Sequence, residues 1–323
     1  MIKKISFFVF LWLATFSLGM AQNMPKLKKG DKIAFVAPSW KVSPSQLSTA
    51  ILFFEQNGFE VVLSPHIYDK QNQFAGSDEQ RRADLQLMLD DTTIKAIMCV
   101  RGGYGAVRFV DELNFDAFRQ HPKWLCGFSD VTVIHSQLQA LGYPSLHSVM
   151  PITIKKETID NQYNKSLLQA LRGDSLHYEF AAHDSNRVGT ADGLIVGGNL
   201  SILYSLLASP SDLNTDGKIL FIEDTDEYLY HIDRMMWALK RAGKLENLQG
   251  LVVGCMNKMH DSDTPFGQDV INIIRTVCAD YDFPICFDFP AGHCGQNFAL
   301  PLGTHARLDV TPAGCTLEFN NNN

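Results

Sequence analysis

The sequence predicts an α/β protein whose first half carries a mostly parallel sheet. Three observations predict it. Short apolar runs alternate with segments of helical spacing from residue 32 onward. Two of the helical segments open on capping boxes, Ser43-Pro44-Ser45-Gln46 and Ser77 with Gln80. A second stretch, from about residue 188, alternates strands and helices again behind a polar interruption.

Taken in order, Lys32–Ala37 reads as a buried strand. The first capping box, with Pro44 at the first helical position, starts a helix to about Asn57 that Gly58 ends. Phe59–Leu63 is the next strand. Ser77 caps a helix through Leu89, Ile94–Val100 is a strand, and Tyr104–Glu112 is a helix. Trp124–Cys126 reads as the end of a strand. Val131–Leu141 reads as a helix, with Val131, Ile134, Leu138 and Leu141 at helical spacing. Ile152–Arg187 is polar and weakly periodic, a linker with some local helix. Beyond it, Gly197-Gly198-Asn199 opens an apolar helix to about Ala208. Lys218–Ile222 is a strand ending in Glu223-Asp224, Tyr228–Ala242 an amphipathic helix and Leu251–Gly254 a strand. Gln268–Tyr281 is a helix, and short strands near Pro284–Phe287, Ala306–Val310 and Thr316–Phe319 close the second domain. The Asn320–Asn323 tail reads as disordered. The expected division is a domain over 22–151, a linker over 152–187 and a domain over 188–319.

Composition bounds the function. A chain of 323 residues allows about two domains, and a 46% hydrophobic share supports a sizeable core. The formal charge of −7, with no basic cluster, argues against a nucleic-acid partner. Residues 1–21 read as a cleaved signal peptide: Lys3 and Lys4, the apolar run Ile5–Leu18, then Gly19 and Ala21 before the cut. The run is short for a spanning anchor. Export to the periplasm is therefore expected, with no stable membrane anchor after cleavage. Cys99, Cys126, Cys255, Cys278, Cys286, Cys294 and Cys315 are scattered without a C-x-x-C and read as mostly buried free thiols. No His/Cys/Asp cluster has metal-ligand spacing, and neither a metal nor a cofactor is expected.

The first candidate for chemistry is Ser129, in Gly127-Phe128-Ser129-Asp130 between a strand and a helix. A Ser on such a turn is lifted clear of the sheet at the positive end of a helix. The next backbone N–H is then placed to stabilise an oxyanion. An ordinary helix cap is the competing reading, since the G-x-S-x-G pattern is absent. A Ser nucleophile needs a base and an acid that orients the base. Among the ten His, His293 is distinguished by Gly292 and Gly295, which allow sharp turns; a plain turn His is the alternative. His147 could line a cleft, and His135 is expected to be packed or on the surface. Glu223 and Asp224 end an apolar strand, where a carboxylate is costly unless paired. Asp224 fits a cap for the following helix better than Glu223 does. Gly102-Gly103, directly after a strand, could bring a backbone N–H to the oxyanion. A plain glycine turn competes with this, as does a phosphate cradle, although the usual phosphate-loop patterns are missing.

Together these segments resemble the LD-carboxypeptidase family, which includes muramoyltetrapeptide carboxypeptidases and the related microcin C immunity proteins. The blocks that carry the resemblance are Ala37-Pro38-Ser39, Phe74-Ala75-Gly76-Ser77-Asp78, Arg101-Gly102-Gly103-Tyr104-Gly105, Gly127-Phe128-Ser129-Asp130 and Gly197-Gly198-Asn199-Leu200. Glu223-Asp224 with Ile232-Asp233-Arg234, and Gly292-His293 with Leu300-Pro301-Leu302-Gly303, complete the set. The resemblance implies an N-terminal α/β sandwich and a smaller C-terminal α/β domain, with the site in the cleft between them. It implies Ser129 as nucleophile, Glu223 as orienting acid and His293 as base. The oxyanion donors would be the N–H of Asp130 and one N–H of Gly102 or Gly103. Arg101 and Tyr104 are the substrate-binding candidates, with Arg234 an alternative cation for a terminal carboxylate. The implied reaction releases the terminal D-Ala of a murein tetrapeptide through an acyl-enzyme, and the implied partner is that murein peptide. Family analogy also makes a homodimer an expectation. The alternatives are hydrolysis of a peptidyl-nucleotide amide and non-catalytic binding of murein fragments. The chain departs from the family at His147-Ser148-Val149-Met150-Pro151, where His-Gly-Pro-Met is frequent, which concerns the cleft wall.

Overall fold

The computed structural model describes residues 24–319. The expected signal peptide and the Asn320–Asn323 tail lie outside the described residues. The first half runs β1 (Lys32–Val36), α1 (Pro44–Gln56), β2 (Glu60–Leu63), α2 (Asp78–Asp90), β3 (Ile94–Cys99), α3 (Asp116–Gln120), β4 (Trp124–Gly127), α4 (Thr132–Ala140) and β5 (Ser145–His147). Both capping boxes form: the Gln46 and Gln80 side chains each accept the backbone N–H of Ser43 and Ser77 at 2.9 Å. The other end of α2 is closed by buried Lys123, whose ammonium donates to the carbonyls of Met88, Leu89 and Asp91.

Strands β5-β4-β3-β1-β2 are all parallel, as the alternation of strand and helix dictates. Their two-residue period sends Ile33 and Phe35 to a core shared with Leu47 and Phe54 of α1. Ala34 and Val36 go to the opposite core, with Leu85 and Leu89 of α2 and Ile134 and Leu138 of α4. The strand order reverses around β1, so a crevice opens beyond the carboxyl ends of β1 and β3. The expected helix over Tyr104–Glu112 is instead two 3₁₀ turns, Ala106–Arg108 and Val110–Glu112. Gly105, at φ +135°, and Phe109, at φ −138°, interrupt it.

The second half runs α5 (Gln162–Arg172), β6 (Leu176–Phe180), β7 (Gly189–Asn199), α6 (Leu200–Ser205), β8 (Ile219–Thr225), α7 (Leu229–Arg241), β9 (Gly250–Asn257), α8 (Val270–Val277), β10 (Ile285–Cys286), β11 (Leu300–Leu302), β12 (His305–Val310) and β13 (Cys315–Phe319). Its sheet is mixed, in the order β10-β9-β8-β7-β12-β13-β6, with β10 to β7 parallel and the rest antiparallel. The two halves are therefore two α/β layers, the first mostly parallel.

Three expectations are corrected here. The 152–187 linker contains α5 and β6, and β6 pairs with β13 at the edge of the second sheet. Its apolar residues are spread thinly along the segment: α5 buries Leu167, Leu168 and Leu171, and in β6 Leu176 and Tyr178 point inward while His177 and Glu179 face water. Gly197-Gly198-Asn199 ends β7 and also opens a helix, with the Asn199 side chain accepting the Ile202 N–H at 3.2 Å, but α6 is only six residues long rather than running to about Ala208. A Cβ on Gly197 would sit 1.9 Å from the Phe221 carbonyl oxygen of β8, a close approach that only glycine permits. Leu300-Pro301-Leu302 is strand β11 and pairs antiparallel with β5, so the chain returns to complete the six-stranded first sheet. Helix α4 joins the layers: its Thr132 hydroxyl oxygen accepts the Asn199 N–H of β7 at 3.0 Å.

Candidate active site

Ser129 follows β4 and stands at φ +66°, a left-handed backbone that a residue with a Cβ rarely adopts. Asp130, buried beside it, anchors the turn. One carboxylate oxygen accepts the Ser39 hydroxyl at 2.5 Å and the Ala106 N–H at 2.9 Å. Burial raises the Asp130 carboxyl above its ordinary range, partly offset by these bonds and by the nearby Arg81 charge. Asp130 is the second residue of the 3₁₀ turn Ser129–Val131, so its own N–H is among the orphan donors of a helix start. Among the described residues the Ser129 hydroxyl makes no hydrogen bond.

The glycine turn after β3 lies against this Ser. A Cβ on Gly102 would come 2.7 Å from Ser129 Cβ and 2.9 Å from its Oγ. The Gly102 carbonyl accepts the Trp40 N–H at 3.3 Å. Arg101 lies over the Trp40 ring at 4.8 Å and donates to the Lys41 carbonyl, while Tyr104 is 48% exposed on the same rim.

From the second layer, β8 brings Glu223, which is 0% exposed. Glu223 and Asp224 both lie within β8 rather than after it. The pairing with β9 shifts register between Ile222 and Asp224. Such a bulge re-aims a side chain, and here two consecutive carboxylates are buried. Glu223 Oε2 accepts from His293 Nδ1 at 2.7 Å, and Glu223 Oε1 accepts from Asn199 Nδ2 at 3.3 Å. Gly292 permits the approach, since a Cβ there would fall 2.5 Å from Glu223 Oε2. The His293 ring packs edge-on against Phe128, the residue before Ser129, at 4.8 Å. Burial pulls the His293 pKa down, but the Glu223 charge and hydrogen bond, with Asp224, outweigh it and hold it above the ordinary 6.5.

Asp224 caps, but at a different helix from the one expected. It accepts the Ser201 N–H of α6 at 2.8 Å and the Asn199 amide at 3.0 Å. Burial and the neighbouring Glu223 charge raise its pKa to about 6. His147 is buried rather than cleft-lining, with its pKa depressed by burial to about 3. Neutral, it donates from Nε2 to Asn297 Oδ1 at 3.0 Å, which also accepts the Gly292 N–H at 2.9 Å. His135 is packed and bonds the Gly127 carbonyl at 2.9 Å. Asn199, Asn297, Ser39 and Thr132 support the site without having been singled out by sequence for that purpose. Asn199 at the end of β7, Ser39 after β1, Thr132 at the start of α4 and Asn297 in a loop share no sequence pattern, and only the folded contacts give them partners. The seven Cys divide: five are buried thiols, whereas Cys255 and Cys294 form a disulfide, correcting the expectation for that pair. Among the described residues no group of His, Cys, Asp and Glu is arranged to hold a metal ion.

Two family models match, the LD-carboxypeptidase N-terminal domain over residues 33–148 and the LD-carboxypeptidase C-terminal domain over 192–308. The chain is 34% identical over 300 residues to a probable murein peptide carboxypeptidase of Bacillus subtilis, covering 90% of this chain and 93% of that protein. It is 26% identical to a murein tetrapeptide carboxypeptidase of Pseudomonas aeruginosa, covering 86% and 93%. Its fold superposes on the crystal structure of a muramoyltetrapeptide carboxypeptidase from Oxalobacter formigenes with a TM-score of 0.80 at 25% identity, over 90% and 98% of the two chains. With both layers and the matched residues in register along the chain, this protein belongs to the LD-carboxypeptidase family of hydrolases.

Proposed function

We propose that this chain is a serine-type LD-carboxypeptidase that releases the terminal D-Ala of a murein tetrapeptide. The observation that carries the reading is the Glu223–His293 hydrogen bond, with the His293 ring packed on Phe128, the neighbour of a Ser held at positive φ. His293 Nδ1–H donates to Glu223, which leaves Nε2 free to take the Ser129 proton. Ser129 Oγ attacks the scissile carbonyl carbon, and the oxyanion is met by the Asp130 N–H and a glycine N–H. That glycine is Gly103 in this reading: Trp40 occupies the Gly102 carbonyl, and the trans peptide points the Gly103 N–H the opposite way. The imidazolium then protonates the leaving D-Ala amine. Water, deprotonated by the same His293, releases the tripeptide from Ser129. Arg101 serves as the cation for the terminal carboxylate and Tyr104 as a rim contact. Periplasmic action is part of this proposal; the apolar run at 5–18 supports it, as does a disulfide, a bond that persists in oxidising compartments.

Mass spectrometry of murein tetrapeptide incubated with the protein tests the reading. Loss of one D-Ala is expected, and the diastereomer ending in L-Ala is expected to stay intact. A folded protein that releases nothing overturns the reading and redirects the search to peptidyl-nucleotide amides. The pH profile supplies a second check. The base works only when neutral, so kcat/KM should fall as pH drops through the raised His293 pKa, with the midpoint above 6.5. Asp224→Asn removes one carboxylate that raises this pKa, and the limb should move to lower pH. A wild-type midpoint below 6.5 would contradict the assignment of the base.

A further inference from the structure

We infer that the Cys255–Cys294 disulfide is a positioning element for His293, and that full activity requires this bond to be oxidised. The inference rests on the proposed role of His293 as base. His293 and Cys294 lie between Gly292 at φ +115° and Gly295 at φ +76°, in a segment with no helix or strand of its own. Two glycines this close leave the backbone wide freedom, so the imidazole is oriented by what ties the loop down. The ties converge on β9. Cys255 of β9 is bonded to Cys294, the residue next to His293, with Cα atoms 5.9 Å apart. The Cys255 N–H donates to the Ala291 carbonyl at 2.9 Å, and Asn257 Nδ2 donates to the His293 carbonyl at 3.0 Å. Strand β9 in turn pairs with β8, which carries Glu223. The disulfide therefore fastens the base to the neighbour of the strand that holds its orienting acid, across a separation of 39 residues.

Both bridge cysteines are part-exposed, whereas the five other cysteines are buried thiols. A dithiol reductant therefore meets a single disulfide among the described residues. It gives two electrons and two protons to Cys255 and Cys294, leaving two thiols, and is itself oxidised to a disulfide. The loop then keeps only its hydrogen bonds and the His293 ring contact with Phe128, and the Glu223–His293 contact is populated for a smaller fraction of the time.

The test compares oxidised protein, the same protein reduced with dithiothreitol, and Cys255→Ser/Cys294→Ser, each with its thiol count verified by mass. Two readouts are taken. The first is tetrapeptide hydrolysis: reduction and the double variant should each lower kcat by about tenfold or more, with KM within about twofold. The second needs no turnover: the His293 imidazole is titrated by NMR in the oxidised and reduced forms. Its pKa should fall toward 6.5 on reduction, because the Glu223 contact that raises it is lost part of the time. Equal kcat and equal His293 pKa in both forms would overturn the inference and leave the bond a stabiliser of the fold only. Free thiols at both positions in aerobically prepared protein would overturn it as well. If oxidised protein does not cut the tetrapeptide, the functional reading fails, and the titration still decides whether the bond positions His293.

Discussion

Ser129→Ala should lower kcat by about 10⁵- to 10⁶-fold and leave the fold intact. The size follows from losing covalent catalysis while keeping the oxyanion donors and the binding surface, which sustain a residual rate. The fold should survive because alanine keeps the Cβ that faces Gly102 and the lost hydroxyl makes no hydrogen bond among the described residues. Glu223→Gln should cost less, about 10⁴-fold, and for a different reason. The carboxylate accepts on both sides, from His293 Nδ1 at 2.7 Å and from Asn199 Nδ2 at 3.3 Å. A carboxamide has one acceptor oxygen and one donor nitrogen, so one of those bonds must be lost. If the amide nitrogen faces His293, the proton moves to Nε2, and the ring can no longer accept from Ser129. The double variant should be no slower than Ser129→Ala alone, since residues acting as one unit are not additive. These rates are read from D-Ala release. A Ser129→Ala protein retaining a tenth of wild-type kcat would remove Ser129 as the nucleophile.

How much of this was legible in sequence depends on how local the cause is. The capping boxes at Ser43 and Ser77 depend on four consecutive residues each, and both form. Strands β1, β3 and β4 are apolar runs buried on both faces, which composition alone reveals. The Gly127-Phe128-Ser129 turn was readable as a strand-to-helix junction, but its positive φ was not, since the turn's anchor at Asp130 is bonded to Ser39, 91 residues away. The pairing of His293 with Glu223 spans 70 residues, and their own surroundings in sequence left other roles open. Family resemblance chose between those roles where local pattern did not. Strand β11 was missed as a member of the first sheet because three residues, one of them Pro, carry no period. The Cys255–Cys294 bond was missed because neither residue belongs to a spacing motif, and only the close approach of the 291–294 loop to β9 brings them together.

Gly197→Ala is expected to be the most destabilising single methyl in the second layer, costing about 4 kcal/mol or more and in practice preventing a stable fold. The added Cβ would sit 1.9 Å from the Phe221 carbonyl oxygen and 2.8 Å from its carbonyl carbon. Both are backbone atoms, so no rotamer change relieves the clash. Phe221 is registered against Gly197 on one side and Val252 on the other, and therefore cannot retreat without parting β8 from β9. Gly197 also stands at φ +132°, where an alanine is strained whatever the space. Gly217→Ala is the matched control: its φ is +67° and nothing lies within 4 Å of the added Cβ, so it should cost only about 1–2 kcal/mol for the left-handed backbone. Urea unfolding of the two variants sets the modest left-handed cost at Gly217 against the cost at Gly197, where the collision adds to a φ beyond the left-handed region. A Gly197→Ala protein as stable as Gly217→Ala would mean that β7 and β8 are not this close. The same contact bears on activity. Two residues further along this register Asn199 lies opposite Glu223, so any shift that accommodated the methyl would also slide Asn199 away from the acid it supports. A rescued Gly197→Ala protein, folded by added osmolyte, should therefore still show a lower kcat and a His293 limb moved toward 6.5.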